Sequence, residues 1–190
     1  MAIAVVACWP PATATADLLI TPFLGLKFGG ATSFVDLDRG ADNTKLTLGG
    51  ALTLLDEGVL GLELDLGLTP RFFDPGTGGL TASGSVRTLT GNVLVLTPRS
   101  VTRESLRPYL VAGAGWMNVN IDDVQEVLPV DSNLLGLNVG AGALGPLTER
   151  TSLRFELRYF RNLTSDPDAI TIGSARLSFW RTTLGVSIRY

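Results

Sequence analysis

Two carboxylates, Glu63 and Asp65, stand two positions apart among arginines and lysines that also fall at alternate positions. A pair of acids on one face could serve as general acid and base. The rest of the catalytic toolkit is thin. The chain has no histidine, and its one cysteine is Cys8. A Ser-His-Asp triad, a His-based zinc site and an imidazole base are therefore excluded. Glu63 and Asp65 are read as counter-charges for nearby Arg and Lys, because structural ion networks imitate active sites. Asp36, Asp38 and Asp42 offer oxygen ligands, but their spacing does not fit an EF-hand loop. No catalytic, cofactor-binding or metal residue is assigned, and no cofactor is expected.

These charges need a scaffold. The chain has 190 residues, 45% of them hydrophobic and 17% charged, with a net charge of −3. Mean hydropathy is +0.30 and the pI is about 4.9. The acidic balance argues against a nucleic-acid partner. Beyond the N-terminus no apolar run reaches the roughly 18 residues of a membrane helix. The hydrophobicity is instead arranged with a period of two. Leu60, Leu62, Leu64, Leu66 and Leu68 alternate with Gly61, Glu63, Asp65, Gly67 and Thr69. A helix would scatter these residues around its circumference, so the segment is a strand.

Seven further segments behave similarly. In 17–30, Leu18, Ile20, Leu24, Leu26 and Phe28 oppose Thr21, Gly25, Lys27 and Gly29. Leu46, Leu48, Leu52 and Leu54 oppose Lys45, Thr47, Gly49 and Thr53, and Leu55-Asp56-Glu57-Gly58 makes a hairpin turn to the next strand. In 133–145, 151–163 and 176–190 the alternation is equally plain. In 107–119 the preferred outward set is Leu110, Ala112, Ala114 and Trp116, with Gly113 and Gly115 inward. In 86–97 either Val93 and Val95 or Leu94 and Leu96 could face out. Connections near 55–59, 97–107 and 145–151 are short, and Pro146 suits a turn. Those at 31–43, 74–85, 120–133 and 164–175 are long and polar. Short turns on one rim and long loops on the other describe an all-β, eight-stranded, antiparallel up-and-down transmembrane barrel.

A soluble, lipocalin-like ligand-binding barrel shares this alternation but keeps its charges outside. Here the polar faces carry Lys27, Lys45, Glu63, Asp65, Arg71, Arg154, Glu156, Arg158, Arg181 and Arg189, and the apolar faces carry almost no charge. Lipid requires that pattern, because Arg or Lys facing it costs about 2–4 kcal/mol at the midplane. The ten polar-face charges form the expected lumen network, with seven positive and three negative. The inward glycines either make room for arginines or leave a small cavity. Trp116, Trp180 and Tyr190 are the expected aromatic girdle. Trp180 and Tyr190 lie ten residues apart on one face. That spacing projects to about 25 Å along a tilted strand, the height of an apolar band.

Residues 1–16 have the character of a signal peptide. Met1 to Val6 are apolar, and Ala14-Thr15-Ala16 places small residues for cleavage after Ala16. A basic n-region is missing, so a truncated form of such a peptide is expected. Val5-Val6-Ala7-Cys8 offers a second possibility, a lipobox with Cys8 acylated. The barrel domain is expected over 17–190.

The sequence resembles the small outer-membrane barrels of Gram-negative bacteria, of the OmpA, OmpX and opacity-protein type. Leu184, Val186, Ile188 and the terminal Tyr190 resemble the C-terminal signal read by the barrel-assembly machinery. Arg107-Pro108-Tyr109-Leu110-Val111-Ala112-Gly113-Ala114-Gly115 resembles the Pro-Tyr-x-x-x-Gly-x-Gly stretch of such domains. The resemblance implies a monomer in the bacterial outer membrane, among outer-membrane lipid and lipopolysaccharide. Enzymes of this fold use histidine, so none is expected here. A structural, envelope-integrity or adhesion role through long acidic loops is expected. The alternative is a narrow channel for small solutes or anions. Ten of the 18 acids fall in those loops: Asp36, Asp38, Asp42, Asp74, Asp122, Asp123, Glu126, Asp131, Asp166 and Asp168. A solvated acidic surface, open to an extracellular ligand, is expected there.

Overall fold

Alternation commits the chain to strands, and closure removes the unpaired edges they would otherwise expose. A computed structural model describes residues 17–32, 44–56, 58–73, 81–102, 105–123, 130–163 and 177–190, with backbone alone at 31–32, 71–73, 81–84, 119–123 and 130–133. The strands are β1 (Asp17–Thr32), β2 (Lys45–Leu55), β3 (Leu60–Phe73), β4 (Thr81–Leu96), β5 (Arg107–Asp123), β6 (Val130–Pro146), β7 (Thr151–Asn162) and β8 (Leu177–Arg189). Each pairs antiparallel with the next, and β8 pairs with β1 to close the barrel. No helix among the described residues is long and apolar enough to cross a membrane.

Several strands run beyond their expected ends. Asp122, Asp123 and Asp131, expected in a loop, lie in β5 and β6. Pro146 ends β6 instead of forming the turn, and pairs with Ser152. The turn itself closes where the Leu147 and Thr148 amides donate to the Thr151 carbonyl at 2.9 and 3.0 Å. The connection from β4 to β5 holds one helical turn, α1 (Arg99–Thr102), which strand alternation gave no sign of. In β1, Gly29 has a φ of 58° beside the register shift between Phe28 and Ala31. Glycine takes that conformation without steric penalty.

The register fixes the tilt. From Leu18 the row of partners runs through Leu54, Leu62, Val93, Ala112, Val139, Tyr159 and Trp180 to Phe28. It returns to β1 ten residues further along. Each step to the next strand therefore climbs about 1.25 residues toward the rim of long connections, the stagger that a tilted closed barrel demands.

The outer wall is apolar. Leu24, Leu62, Leu110, Trp116, Phe155 and Leu184 are exposed, the reverse of a water-soluble barrel. Burial also settles β4. Val93 and Val95 are each 49% exposed and face out, whereas Leu94 at 1% and Leu96 at 3% face in.

Candidate functional site: the braced lumen

The site begins with four cations in one row of partners: Lys45 on β2, Lys27 on β1, Arg181 on β8 and Arg158 on β7. Like charges on neighbouring strands repel, and more strongly away from water. Their compensation comes largely from the opposite wall. Strand β3 is four strands from β7 in either direction around the ring. Its Glu63 receives Arg158 Nη2 on Oε1 at 2.5 Å and Arg154 Nη2 on Oε2 at 2.6 Å. Its Asp65 takes both carboxylate oxygens to Arg181 Nη2, each at 2.8 Å. From β7 itself, Glu156 Oε2 accepts from Arg154 at 2.6 Å and from Arg158 at 2.8 Å, and Arg158 Nε also meets Glu156 Oε1.

Neutral donors and rings complete the brace. Thr53 Oγ1 and Asn92 Nδ2 donate to Glu63 at 3.0 and 3.2 Å, and Asn138 Nδ2 donates to Asn92 Oδ1 at 2.8 Å. Tyr109 Oη donates to Glu156 at 2.7 Å and accepts from Arg154 Nε at 2.7 Å. The Arg181 guanidinium lies 5.1 Å from the Phe23 ring centroid and 4.7 Å from that of Phe160, within cation–π range. Glycines give the guanidiniums room. A Cβ on Gly67 would strike Arg181 Nη1, while one on Gly140 would meet the Leu157 carbonyl oxygen first and then the Arg158 stem at Cγ. The other inward glycines make way differently, Gly113 for Asn92, Gly136 for Met117 and Gly142 for Tyr109.

Apolar layers flank this brace. Toward the short turns lie Leu19, Leu55, Leu94, Leu96, Tyr109, Val111 and Leu144. Toward the long connections lie Val86, Met117, Leu134, Phe160, Leu177 and Phe179. On the β1–β3 side of that upper level, buried Lys27, Thr47 and Thr69 fill the space. Below the lower layer a cup of about 620 Å³ opens at the short-turn mouth, lined in part by Arg99, Arg107 and Arg189 over Leu19, Leu55 and Leu144. Lys27, Thr47, Thr53, Glu63, Asp65, Asn92, Glu156, Arg158 and Arg181 are each at most 5% exposed. Among the described residues, the middle of the lumen is occupied by side chains.

Of the ten charges expected in the lumen, Glu63, Asp65, Arg154, Glu156, Arg158 and Arg181 meet in the brace. Lys27 is fully buried beside it, and Lys45 is half-buried at the long-connection end. Arg189 does not join them. It sits at the short-turn rim, with Nε 3.4 Å from Asp17 Oδ2, because it lies eight positions along β8 from Arg181. The Arg71 side chain lies outside the described residues, as do Cys8, Ala14, Ala16 and the side chains of all ten loop acids. Three guanidiniums and three carboxylates balance in the brace itself, and buried Lys27 beside it adds one further cation. Leu184, Val186, Ile188 and Tyr190 face outward and are exposed. Trp116 and Trp180 are exposed toward the long-connection rim, and Tyr190 at the other.

Several lumen residues escaped the sequence reading. Tyr109 shares the parity of Gly113 and Gly115, and Phe160 continues that of Arg154, Glu156 and Arg158. On β4, Thr88, Thr90 and Asn92 are buried and carry the inward parity straight to Leu94 and Leu96. Each of these positions was legible from parity alone.

The geometry agrees with known proteins. The family described as "Outer membrane protein beta-barrel domain" matches residues 1–190. The sequence matches no curated protein. The fold is similar to that of Neisserial surface protein A, with a TM-score of 0.62 and 13% identity over 92% of this chain and 97% of that one. Similar too are OprG of Pseudomonas aeruginosa, at TM-score 0.59 and 16% identity over 93% and 97%, and the N-terminal barrel domain of OprF from the same organism, at 0.58 and 18% over 92% and 97%. A filled eight-stranded barrel with an apolar outer wall, matched over its whole length, belongs to the outer-membrane protein β-barrel domain family.

Proposed function

We propose that the protein is an integral, non-conducting barrel of the bacterial outer membrane, acting in envelope integrity or as an adhesion-type surface through its long acidic connections. The occupied lumen carries this reading. Eight strands leave room for little beyond side chains, and the brace with its apolar layers uses that room. Each brace carboxylate is engaged by a guanidinium, which leaves Glu63, Asp65 and Glu156 poorly placed for acid–base work. In this reading the chain is a monomer, and Leu184, Val186, Ile188 and Tyr190 are its signal to the assembly machinery.

Planar-bilayer recording and liposome swelling test the proposal. The refolded protein migrates with heat-modifiable mobility, shows no stable conductance steps and does not accelerate swelling. Reproducible anion-selective steps would overturn the non-conducting reading in favour of a narrow channel.

A further inference from the structure

Arg87 and Arg161 are the only charged residues on the outward face among the strand residues whose side chains are described, and both are exposed. The register sets their height. From Arg161 on β7 the row of partners runs through Leu137 and Ala114 to Gly91 on β4, four residues below Arg87. Three strand steps climb roughly 3.75 residues at the stagger derived above, so Arg87 and Arg161 stand at one level. Each has a tryptophan beside it. Arg87 pairs with Asn118 next to the Leu89–Trp116 pair, and Arg161 pairs with Ser178 next to the Tyr159–Trp180 pair. Trp116 and Trp180 are thus diagonal neighbours of the two arginines, within reach of long side chains. The barrel carries two Arg–Trp pairs on its lipid-facing wall, separated by the single strand β6.

Their position is one-sided. Both lie toward the long-connection rim, and no described strand residue puts a charge on the outer wall toward the short turns. A lipid-facing arginine is costly at the midplane but nearly free at the interface. Its planar fork suits phosphate oxygens, while an indole settles at the boundary of headgroup and acyl chain. We infer that Arg87 with Trp116, and Arg161 with Trp180, bind phosphate groups on the headgroup of a phosphorylated glycolipid in the outer leaflet. This rests on the outer-membrane reading above and assigns a lipid-binding role to two residues outside the lumen.

The test uses the full chain refolded into phosphatidylcholine nanodiscs doped with bis-phosphorylated lipid A, with its dephosphorylated form, or with phosphatidylglycerol. Retained lipid is counted by native mass spectrometry. The protein retains bis-phosphorylated lipid A preferentially. An R87Q/R161Q double variant removes one charge-assisted contact from each Arg–Trp site, and each site then binds it about tenfold more weakly. R150Q, in the exposed turn at the other rim, leaves retention unchanged. Equal retention of the dephosphorylated form or of phosphatidylglycerol, or undiminished retention by the double variant, would overturn the assignment. Heat-modifiable migration of every variant scores the barrel separately, so failure of the lipid site is distinguishable from failure of the membrane reading.

Discussion

The charged middle of the lumen and the apolar layer above it fill the same barrel by different means. Phe160 and Phe179 are direct partners on adjacent strands, stacked with centroids 5.0 Å apart and planes 10° apart. Their contact is local and needs only the β7–β8 ladder. Glu63 with Arg158, and Asp65 with Arg181, reach across the bore from β3 to β7 and β8. Their contact exists only once the sheet has closed. The apolar layer thus rewards neighbouring strands for pairing, while the brace rewards the correct closure. The two also differ in tolerance. An apolar site can relax into a smaller volume, but a buried guanidinium without its carboxylate has nowhere to put its charge.

The largest expected effect comes from breaking the brace. Glu63→Ala leaves Arg154 and Arg158 to share Glu156, and costs about 3–5 kcal/mol. The readout is the denaturant midpoint in detergent micelles, followed by loss of heat-modifiable migration. A double variant sharpens the point. Glu63→Leu with Arg158→Met leaves Arg154 with Glu156 and Arg181 with Asp65, two balanced pairs. Replacing a buried pair by apolar groups is often neutral, so the double variant unfolds at a higher midpoint than Glu63→Ala alone. Equal midpoints would mean that the pairing does not govern the stability of the middle layer.

Phe160→Ala comes next. It removes the stacking partner of Phe179 and one of the two rings near Arg181. The expected loss is about 3 kcal/mol, read from the same unfolding curves. Restoring an apolar side chain with Phe160→Leu recovers most of it, since neighbours can close around a smaller group. A recovery of that kind sets the layer apart from the brace, where replacing one carboxylate by an apolar side chain recovers nothing.

Most of this architecture can be read from a period of two, because the outer wall leaves no ambiguity when it is all leucine. Strand count, the faces of seven strands and the inward charges of β3, β7 and β8 follow from parity. Which acid meets which base does not. That depends on the ten-residue stagger, a property of the closed barrel and of no single strand. The same stagger explains why Arg189 looked like a lumen charge: its parity is inward, but its height places it at the rim. In β4, Val93 to Leu96 are apolar on both faces because Leu94 and Leu96 pack in the lower layer while Val93 and Val95 form part of the apolar outer wall. Parity carried from Thr88, Thr90 and Asn92 was the signal available there.

The rim supplies the smallest effect and the cleanest control. Arg99 Nη2 and Arg189 Nε both lie 3.4 Å from Asp17 Oδ2, so here too one carboxylate serves two guanidiniums, as Glu63 does. The difference is water: the Asp17 side chain is 35% exposed and those of its partners 49% and 38%. Solvent already satisfies these groups when the pair is broken, so Asp17→Asn costs under about 1 kcal/mol. What little it contributes vanishes at about 1 M salt, where screening acts within roughly 3 Å. The penalty of Glu63→Ala persists under the same salt, because ions do not enter the braced lumen. Burial is then the variable that separates two otherwise similar clusters. A loss at Asp17 as large and as salt-insensitive as that at Glu63 would show that position along the barrel, and not desolvation, decides what these carboxylates are worth.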